Sequence, residues 1–226
     1  MDDRTHDVRE TEGPAGAGGR IARFTPLGAL LYPTVREVAA IFGGVSAALV
    51  AGALVAAPPA DWWMIPAALV YGALWWSFIE YVFHRWVLHW EPASPGMRRV
   101  RKLLPGHRSH HNDPFDPDDV VNMKHYVGLA VAALCFAGML LIGFPLAFAL
   151  AGTAGGTLGY AAYEYVHFAC HQLPMTSRVG RLLRQHHAIH HHRDETVNFG
   201  VTSPLWDHVF GTAFRPARLA RPRRPA

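Results

Sequence analysis

Histidines are the residues of this sequence whose number and spacing point to chemistry. The chain has 15 histidines, and ten of them crowd into four short segments, which we call boxes 1 to 4. Neutral imidazole is the commonest protein ligand for transition metals, and ten imidazoles exceed what one ion binds. We therefore predict two metal ions held by these ten side chains. The boxes contain, in chain order, His84 and His89, then His107, His110 and His111, then His167 and His171, then His187, His190 and His191.

The spacing within boxes 2, 3 and 4 fits one face of an α-helix. Residues three or four positions apart are neighbours on a helix surface, so His167 and His171 can point in one direction. His84 and His89 in box 1 are five positions apart, about 140° around an ideal helix. These two histidines either bind different metals or lie where their helix unwinds.

Acidic residues lie close to the boxes. Glu80 precedes His84 by one helical turn, and Glu164 precedes His167 by three positions. Metal-bound histidines usually donate their other N–H to a carboxylate or a carbonyl. Each glutamate therefore either orients a ligand imidazole or is an exposed residue at the membrane interface. Asp207 either has a similar role or caps a helix.

Two long apolar stretches position the boxes. Between Glu37 and Glu80 the only charged residue is Asp61, and between Lys124 and Glu164 there is none. A membrane-spanning helix needs about 20 apolar residues, and each stretch is about twice that length. Prolines and glycines divide each stretch in two; for the second stretch, one long span with a re-entrant piece is the alternative. The four predicted spans are Val38–Ala57, Trp62–Phe83, Tyr126–Ile142 and Pro145–Phe168.

Composition and charge exclude several classes of protein. Half of the residues are hydrophobic and only 17% are charged, which is too apolar for a disordered chain. The net charge of +4 does not indicate a nucleic-acid partner, because the basic residues flank the apolar stretches and do not form a polar face. A soluble bundle of buried helices is the alternative to a membrane protein.

The distribution of lysine and arginine predicts the orientation. Neither of the loops inside the two apolar stretches carries a basic residue. The positive-inside rule then places both termini, the central loop and all four boxes on the cytoplasmic side. We therefore predict an all-α integral membrane four-helix bundle, made of two transmembrane hairpins, with a cytosolic histidine-rich helical cap. The expected location is an inner or plasma membrane, or an ER-type membrane.

The four boxes, in this order, resemble those of the membrane fatty acid hydroxylase / sterol desaturase superfamily, and most of all its fatty acid 2-hydroxylases. The stretch from Asn198 to Thr212 is similar to the family's segment after the last box. The resemblance implies that the ten box histidines are the metal ligands, whereas His186 and His192 have no place in the pattern. It also implies a fatty acid hydroxylase domain over residues 37–214, between a disordered N-terminal tail with a short lead-in (1–36) and a basic disordered tail (215–226).

The resemblance implies a di-iron enzyme that uses O₂ as co-substrate to hydroxylate a lipid C–H bond, with a fatty acyl chain as the expected substrate. Zinc can substitute for the two iron ions in purified protein. The 226 residues leave no room for a fused cytochrome b5 domain, so we expect a separate electron donor, either a ferredoxin or a cytochrome b5-like protein with its reductase. The alternatives are a sterol or carotenoid hydroxylase, a lipid desaturase of the same superfamily, and a non-enzymatic metal-binding membrane protein.

Aromatic residues in the spans offer a route for the lipid. We expect the chain to enter between the spans beside Trp75, Trp76, Phe78, Tyr160 and Tyr163, unless these rings only pack the protein interior. Three histidines outside the boxes, His6, His125 and His208, are interpreted as surface or capping residues.

Overall fold

The computed structural model describes residues 34–101, 107–114 and 125–216. Within these ranges the regular elements are helical and there is no strand, which confirms the all-α prediction at that level. The predicted tails lie mostly outside the described residues, since 1–33 and 217–226 are not among them. The helices are α1 (Val35–Ala56), α2 (Met64–Val82), α3 (Pro95–Arg101), α4 (His107–Asn112), α5 (His125–Leu141), α6 (Leu146–Gln172), α7 (Arg178–His192) and α8 (Leu205–Val209).

Both predicted breaks in the apolar stretches are present. After α1 the chain passes through a short 3₁₀ helix, Pro59–Asp61, and then begins α2. Between α5 and α6 the backbone of Gly143 has φ of 90°, a left-handed conformation that glycine adopts without steric cost. Pro145 then caps the start of α6, and its fixed φ suits a position just outside a helix.

Helix α6 is the central helix of the fold and packs against α1, α2 and α5. Its 27 residues give a length of about 40 Å. Small residues on its buried face let the neighbouring backbones come close: a Cβ atom on Gly155 would lie 2.1 Å from the carbonyl oxygen of Leu69 on α2. On the α1 side, the Ser46 and Thr157 hydroxyls hydrogen-bond at 2.7 Å.

Two helices in the described ranges are long and apolar enough to cross a membrane, namely Val35–Ala56 and Met64–Leu88. The second of these is α2 together with the π-helical turn that follows it. Helix α5 is apolar but has only 17 residues. Helix α6 is long, but its glycines, threonines and histidines make it less hydrophobic than the other three. The four-span, two-hairpin arrangement therefore stays a prediction.

Candidate metal centre

The ten box histidines come together as two groups of five imidazoles. Within each group, one ring nitrogen from every member lies within 4.8 Å of the others. The groups adjoin, because the rings of His111 and His191 stack with centroids 4.1 Å apart. Group A consists of His84, His89, His107, His111 and His190, and group B consists of His110, His167, His171, His187 and His191.

Boxes 2 and 4 each divide their histidines between the two groups. On α4, His107 and His111 are one turn apart and join group A, whereas His110 joins group B. Box 4 on α7 has the opposite arrangement: His187 and His191, which are one turn apart, join group B, and His190 joins group A. Consecutive side chains lie about 100° apart around a helix and point in different directions. One short helix can therefore contribute histidines to both groups.

Box 1 depends on a local change of helix type. Residues Phe83–Leu88 continue α2 as a π-helix, which has more residues per turn than an α-helix. The wider turn brings His84 and His89 to one side, with ring centroids 5.2 Å apart. Of the two sequence interpretations, the altered winding is confirmed, and both histidines belong to one group.

Two backbone carbonyls orient group A. The Nδ1 atom of His84 lies 2.5 Å from the carbonyl oxygen of Phe199, and Nδ1 of His190 lies 2.7 Å from that of Val197. A carbonyl oxygen only accepts hydrogen bonds, so each Nδ1 carries the proton. The Nε2 atom of each ring therefore presents its lone pair to the centre of the group, as a metal ligand must.

The nitrogen separations test whether a metal ion fits. Nε2 of His190 lies 3.0 Å from Nε2 of His89 in group A, and Nε2 of His171 lies 2.9 Å from Nε2 of His187 in group B. Two imidazole nitrogens bound at right angles to one ion, each at about 2.1 Å, are about 3.0 Å apart. The donor atoms of both groups therefore fit a metal ion.

Burial keeps these imidazoles neutral. It lowers the pKa of His111 to about 4, with a contribution from His89, and it lowers the pKa of His190 to about 3 against the opposing hydrogen bond to Val197. The same cause holds the pKa of His107 well below its usual value. At neutral pH the lone pairs of these rings are available to a metal, without a proton to displace.

Glu80 has a different role from either sequence interpretation. It is buried, and its carboxylate accepts the backbone N–H groups of Val201 at 2.6 Å and Thr202 at 2.8 Å, together with the Thr202 hydroxyl at 2.5 Å. It therefore holds the backbone that follows Phe199 and does not bind an imidazole directly. Glu164 is also fully buried, so the interpretation of it as an exposed interfacial residue is wrong.

Asp207 holds the same part of the chain from the other side. Its carboxylate accepts the backbone N–H groups of Phe199 and Gly200, both at 2.8 Å, and the Thr212 hydroxyl at 2.7 Å. His186 lies 3.1 Å from it. Burial raises the pKa of Asp207, but these hydrogen bonds outweigh burial and leave the pKa below its ordinary value. Asp207 is thus a charged acceptor for a backbone turn.

The structure corrects the interpretation of one histidine outside the boxes. His125, the first residue of α5, is only 3% exposed and lies near the ring of Phe42, so the surface interpretation is wrong. Nothing in the sequence around His125 signals this burial, which comes from packing between α1 and α5. His208 and His192 are exposed, in agreement with their exclusion from the ligand set.

An apolar cavity lies between α1, α2, α5 and α6. Trp76 and Tyr160 line it and pack edge to face, with centroids 5.2 Å apart. Trp76 also contacts Tyr163, whose ring stacks on His167 of group B at 6.0 Å. Trp76 and Tyr163 therefore lie between the cavity and His167 of group B.

The aromatic residues named in the sequence analysis divide into two sets. Trp75, Trp76 and Tyr160 line the cavity. Phe78 packs instead against Trp206, at a centroid distance of 4.9 Å.

A second pocket, of about 470 Å³ and polar, opens group A to the surface. His89, His107 and His111 form its inner wall. Its rim includes the exposed side chains of Arg108 and Glu91, which form an ion pair. Group A is thus reached from the surface through a polar opening.

The chain is similar to known proteins. The family model described as fatty acid hydroxylase matches residues 69–212. The dihydroceramide fatty acyl 2-hydroxylase FAH1 of Arabidopsis thaliana is 38% identical over 149 residues, which are 64% of this chain and 59% of that protein. The ceramide very long chain fatty acid hydroxylase SCS7 of Saccharomyces cerevisiae is 35% identical over 148 residues, 64% of this chain and 37% of that protein.

Human fatty acid 2-hydroxylase is 32% identical over 152 residues, 66% of this chain and 40% of that protein. The chain thus spans between about two fifths and three fifths of the length of these relatives. The solved structure titled full-length scs7p, with only the hydroxylase domain visible, superposes with a TM-score of 0.72 at 29% identity, over 85% of this chain and 71% of that one. Since the family model covers more than half of the chain and includes all four boxes, the chain belongs to the fatty acid hydroxylase family.

Proposed function

We propose that this protein is a membrane-bound, di-iron, O₂-dependent hydroxylase that acts on a C–H bond of a fatty acyl lipid. The observation that carries the proposal is the arrangement of two adjoining five-histidine groups, one of which is connected through Tyr163 and Trp76 to an apolar cavity. The names of the relatives, which are hydroxylases of fatty acids, ceramides and dihydroceramides, support the same reaction class.

Iron is the metal that suits this reaction. Imidazole nitrogens bind several transition metals, but a C–H bond of an alkyl chain requires a redox-active one. When bound, a pair of iron ions supplies the reductive activation of O₂; zinc can occupy the same nitrogens in purified protein. The proposed ligands are the ten histidines of groups A and B.

The protein's own residues orient the ligands, and they cover group B on the side of the cavity. The carbonyls of Val197 and Phe199 fix the tautomer of His190 and His84, so these rings need not reorganise when a metal binds. Burial keeps the imidazoles neutral, and the Trp76, Tyr160 and Tyr163 rings cover the face of group B that is nearest the cavity. A dry environment favours chemistry on an apolar chain, because it keeps the reacting centre away from bulk water.

The apolar cavity is the proposed place for the alkyl chain of the substrate. Two of its polar side chains hydrogen-bond within their own helix: the Thr153 hydroxyl donates to the carbonyl of Ala149 at 2.8 Å, and the Thr157 hydroxyl donates to that of Ala154 at 2.9 Å. Most of the remaining lining is hydrocarbon and aromatic, which suits an acyl chain.

The proposed architecture is a four-helix membrane bundle in which α1 and α2 form one hairpin and α5 and α6 the other. Large apolar side chains on these helices point outward, including Val55 at 89%, Leu134 at 72% and Leu141 at 87% exposed, as expected for surfaces in contact with lipid. The basic segments then place the boxes, as a helical cap, and both termini in the cytoplasm of an inner, plasma or ER-type membrane. Residues 37–214 form the proposed hydroxylase domain.

The reaction also needs electrons. One atom of O₂ enters the alcohol and the other becomes water, so each turnover consumes two electrons and two protons. We assign these electrons to a separate donor, a ferredoxin or a cytochrome b5-like protein with its reductase, and no nucleic acid takes part.

The test is turnover by the purified, iron-loaded protein in detergent, with a ferredoxin and its reductase, an acyl lipid and ¹⁸O₂. We expect an alcohol that contains one ¹⁸O atom, whereas the His110→Ala variant should give none. His208→Ala is the matched control, because His208 is exposed and outside both groups. A product that has lost two hydrogens and gained no oxygen would replace hydroxylation with desaturation, and an alcohol that carries no ¹⁸O would contradict the O₂ chemistry.

A further inference from the structure

The chain after α7 contacts group A through residues that the ligand pattern does not include. We call residues 197–212 the anchor segment. Its Val197 and Phe199 carbonyls accept the Nδ1 protons of His190 and His84. The Phe199 ring also packs edge-on against group A, with its centroid 5.4 Å from that of His190 and 5.8 Å from that of His89. These contacts all go to one of the two histidine groups.

A left-handed residue makes the two carbonyl contacts possible. Asn198, which lies between Val197 and Phe199, has φ of 57°, a conformation that asparagine tolerates better than most residues. Its side chain is held at both ends, because Nδ2 donates to the carbonyl of His186 at 3.0 Å and Oδ1 accepts the N–H of Phe214 at 2.7 Å. The reversal at Asn198 lets consecutive parts of one short segment reach histidines from two different helices.

Two buried carboxylates fix the segment beyond this turn. Asp207 accepts the N–H groups of Phe199 and Gly200, and Glu80 on α2 accepts those of Val201 and Thr202. Four successive backbone N–H groups therefore end on two carboxylates. Asp207 is a charged acceptor, which gives a stronger hydrogen bond than a neutral one. Glu80 accepts through both of its carboxyl oxygens and joins this part of the backbone to α2.

We propose that Glu80 and Asp207 are positioning residues for the metal of group A. They act through the anchor segment, which sets the tautomer and ring orientation of His84 and His190. Neither carboxylate binds the metal itself, and neither supports group B as strongly as it supports group A. The inference rests on the proposed two-metal site. It adds that groups A and B are positioned by different parts of the chain.

The experiment separates the two groups before it tests the carboxylates. In a His110→Ala background only group A keeps its five histidines, and in a His107→Ala background only group B does. Each background is purified without metal and titrated with Co²⁺, whose visible absorption reports the ligand geometry directly. Glu80→Ala and Asp207→Asn are then added to both backgrounds.

We expect Glu80→Ala and Asp207→Asn to weaken Co²⁺ binding by about 10–100-fold in the group A background, the usual effect of losing a partner that orients a ligand. In the group B background the affinity should change by less than about threefold, well below that usual range. Glu80→Gln should restore most of the group A affinity, because its amide oxygen still accepts the two backbone N–H groups and its amino group can donate to the Thr202 hydroxyl.

Ser77→Ala is the matched control for a general loosening of the C-terminal region. The Ser77 hydroxyl on α2 accepts the indole N–H of Trp206 at 3.0 Å. This bond joins α2 to the anchor segment, but it does not involve residues 197–202, which contact group A and the two carboxylates. It should leave both Co²⁺ affinities unchanged. If Glu80→Ala does not fold, Asp207→Asn and Thr202→Val carry the test.

Equal weakening of both backgrounds, or no weakening in either, would overturn the positioning role. An unsubstituted protein that is folded but binds no Co²⁺ would instead contradict the two-metal site itself. The failure of this inference and the failure of the proposed function are therefore distinguishable.

Discussion

His89 and His190 are 101 positions apart in the chain, yet their Nε2 atoms lie 3.0 Å from each other in group A. The contact joins the first box to the last. Group A takes four of its histidines from boxes 1 and 2 and one from box 4. Group B has the opposite composition, because it takes His110 from box 2 and its other four members from boxes 3 and 4. Each group therefore needs both halves of the chain, and neither half completes a metal site alone.

The close contact between α2 and α6 leads to a stability prediction. Gly155→Ala should lower the free energy of unfolding by about 1–3 kcal/mol, the usual cost of overpacking, because the new Cβ atom would lie 2.1 Å from the Leu69 carbonyl oxygen. Gly138→Ala is the control, since a Cβ atom there meets nothing within 4 Å. Thermal unfolding in detergent should show a lower midpoint for Gly155→Ala and not for Gly138→Ala; equal midpoints would argue against the described packing.

The apolar cavity leads to a prediction about substrate length. Gly156 lines the cavity, and a Cβ atom at this position makes only an ordinary contact, 3.7 Å from the Gly72 carbonyl oxygen. Gly156→Leu should therefore fold and fill part of the cavity. With a mixture of acyl chain lengths, its products should shift towards shorter chains, as measured by mass spectrometry. Gly138→Leu, outside the cavity, should keep the original distribution, and an unchanged distribution in Gly156→Leu would place the alkyl chain elsewhere.

The sequence predicts a large part of this site because helical spacing is a local property. The positions of the boxes at the ends of apolar helices, and the pairs such as His107 with His111, follow from the period of an α-helix. The division of box 2 and box 4 between two groups does not follow, because it depends on how α4 and α7 pack against the ends of α2 and α6. The spacing of His84 and His89 is compatible with two different metals or with a helix that unwinds, and the spacing alone neither chooses between these interpretations nor specifies a π-helix.

Glu80 shows a second limit of sequence reasoning. Its distance of one turn from His84 suggests a direct hydrogen bond, but its partners are Val201 and Thr202, more than 100 positions away. A carboxylate near a ligand can orient that ligand directly or through a backbone segment, and only the tertiary structure separates these cases. The similarity of the stretch after box 4 to the family segment indicates that this region belongs to the domain. It does not indicate which histidines and carboxylates the region contacts.

The low pKa values of the ligand imidazoles predict how the metal-free protein responds to acid. Folding lowers the pKa of His111 from 6.5 to about 4 and that of His190 to about 3. As the pH falls below 6.5, the unfolded state therefore takes up protons that the folded state does not. The free energy of unfolding should therefore decrease progressively as the pH falls from about 6.5 towards 4 and 3.

Thermal unfolding of the metal-free protein between pH 7.5 and pH 4 measures this effect. His111→Gln should reduce the slope of the unfolding midpoint against pH, because this substitution removes one of the groups that takes up a proton only in the unfolded state over this range. His208→Ala should leave the slope nearly unchanged, since this histidine is exposed. A midpoint that rises on acidification would contradict the buried, neutral state of the imidazoles.

The proposed topology predicts the side of the membrane on which two loops and the C-terminus lie. Reporter fusions after residue 216 and within the loop between α4 and α5 should be active only as cytoplasmic reporters. A fusion at Asp61, between α1 and α2, should be active only on the opposite side of the membrane. A cytoplasmic signal at Asp61, with the other two unchanged, would contradict the first hairpin.

The most direct test of the central claim is the number of metal ions per chain, measured by elemental analysis of protein purified in detergent. We predict two per chain for the unsubstituted protein, about one for His190→Ala, which loses a group A ligand, and about one for His110→Ala, which loses a group B ligand, as expected when one metal site fails without the other. His208→Ala should retain two. A folded protein with no metal above background, or with a single metal that both substitutions remove, would contradict a centre built from two groups of five histidines.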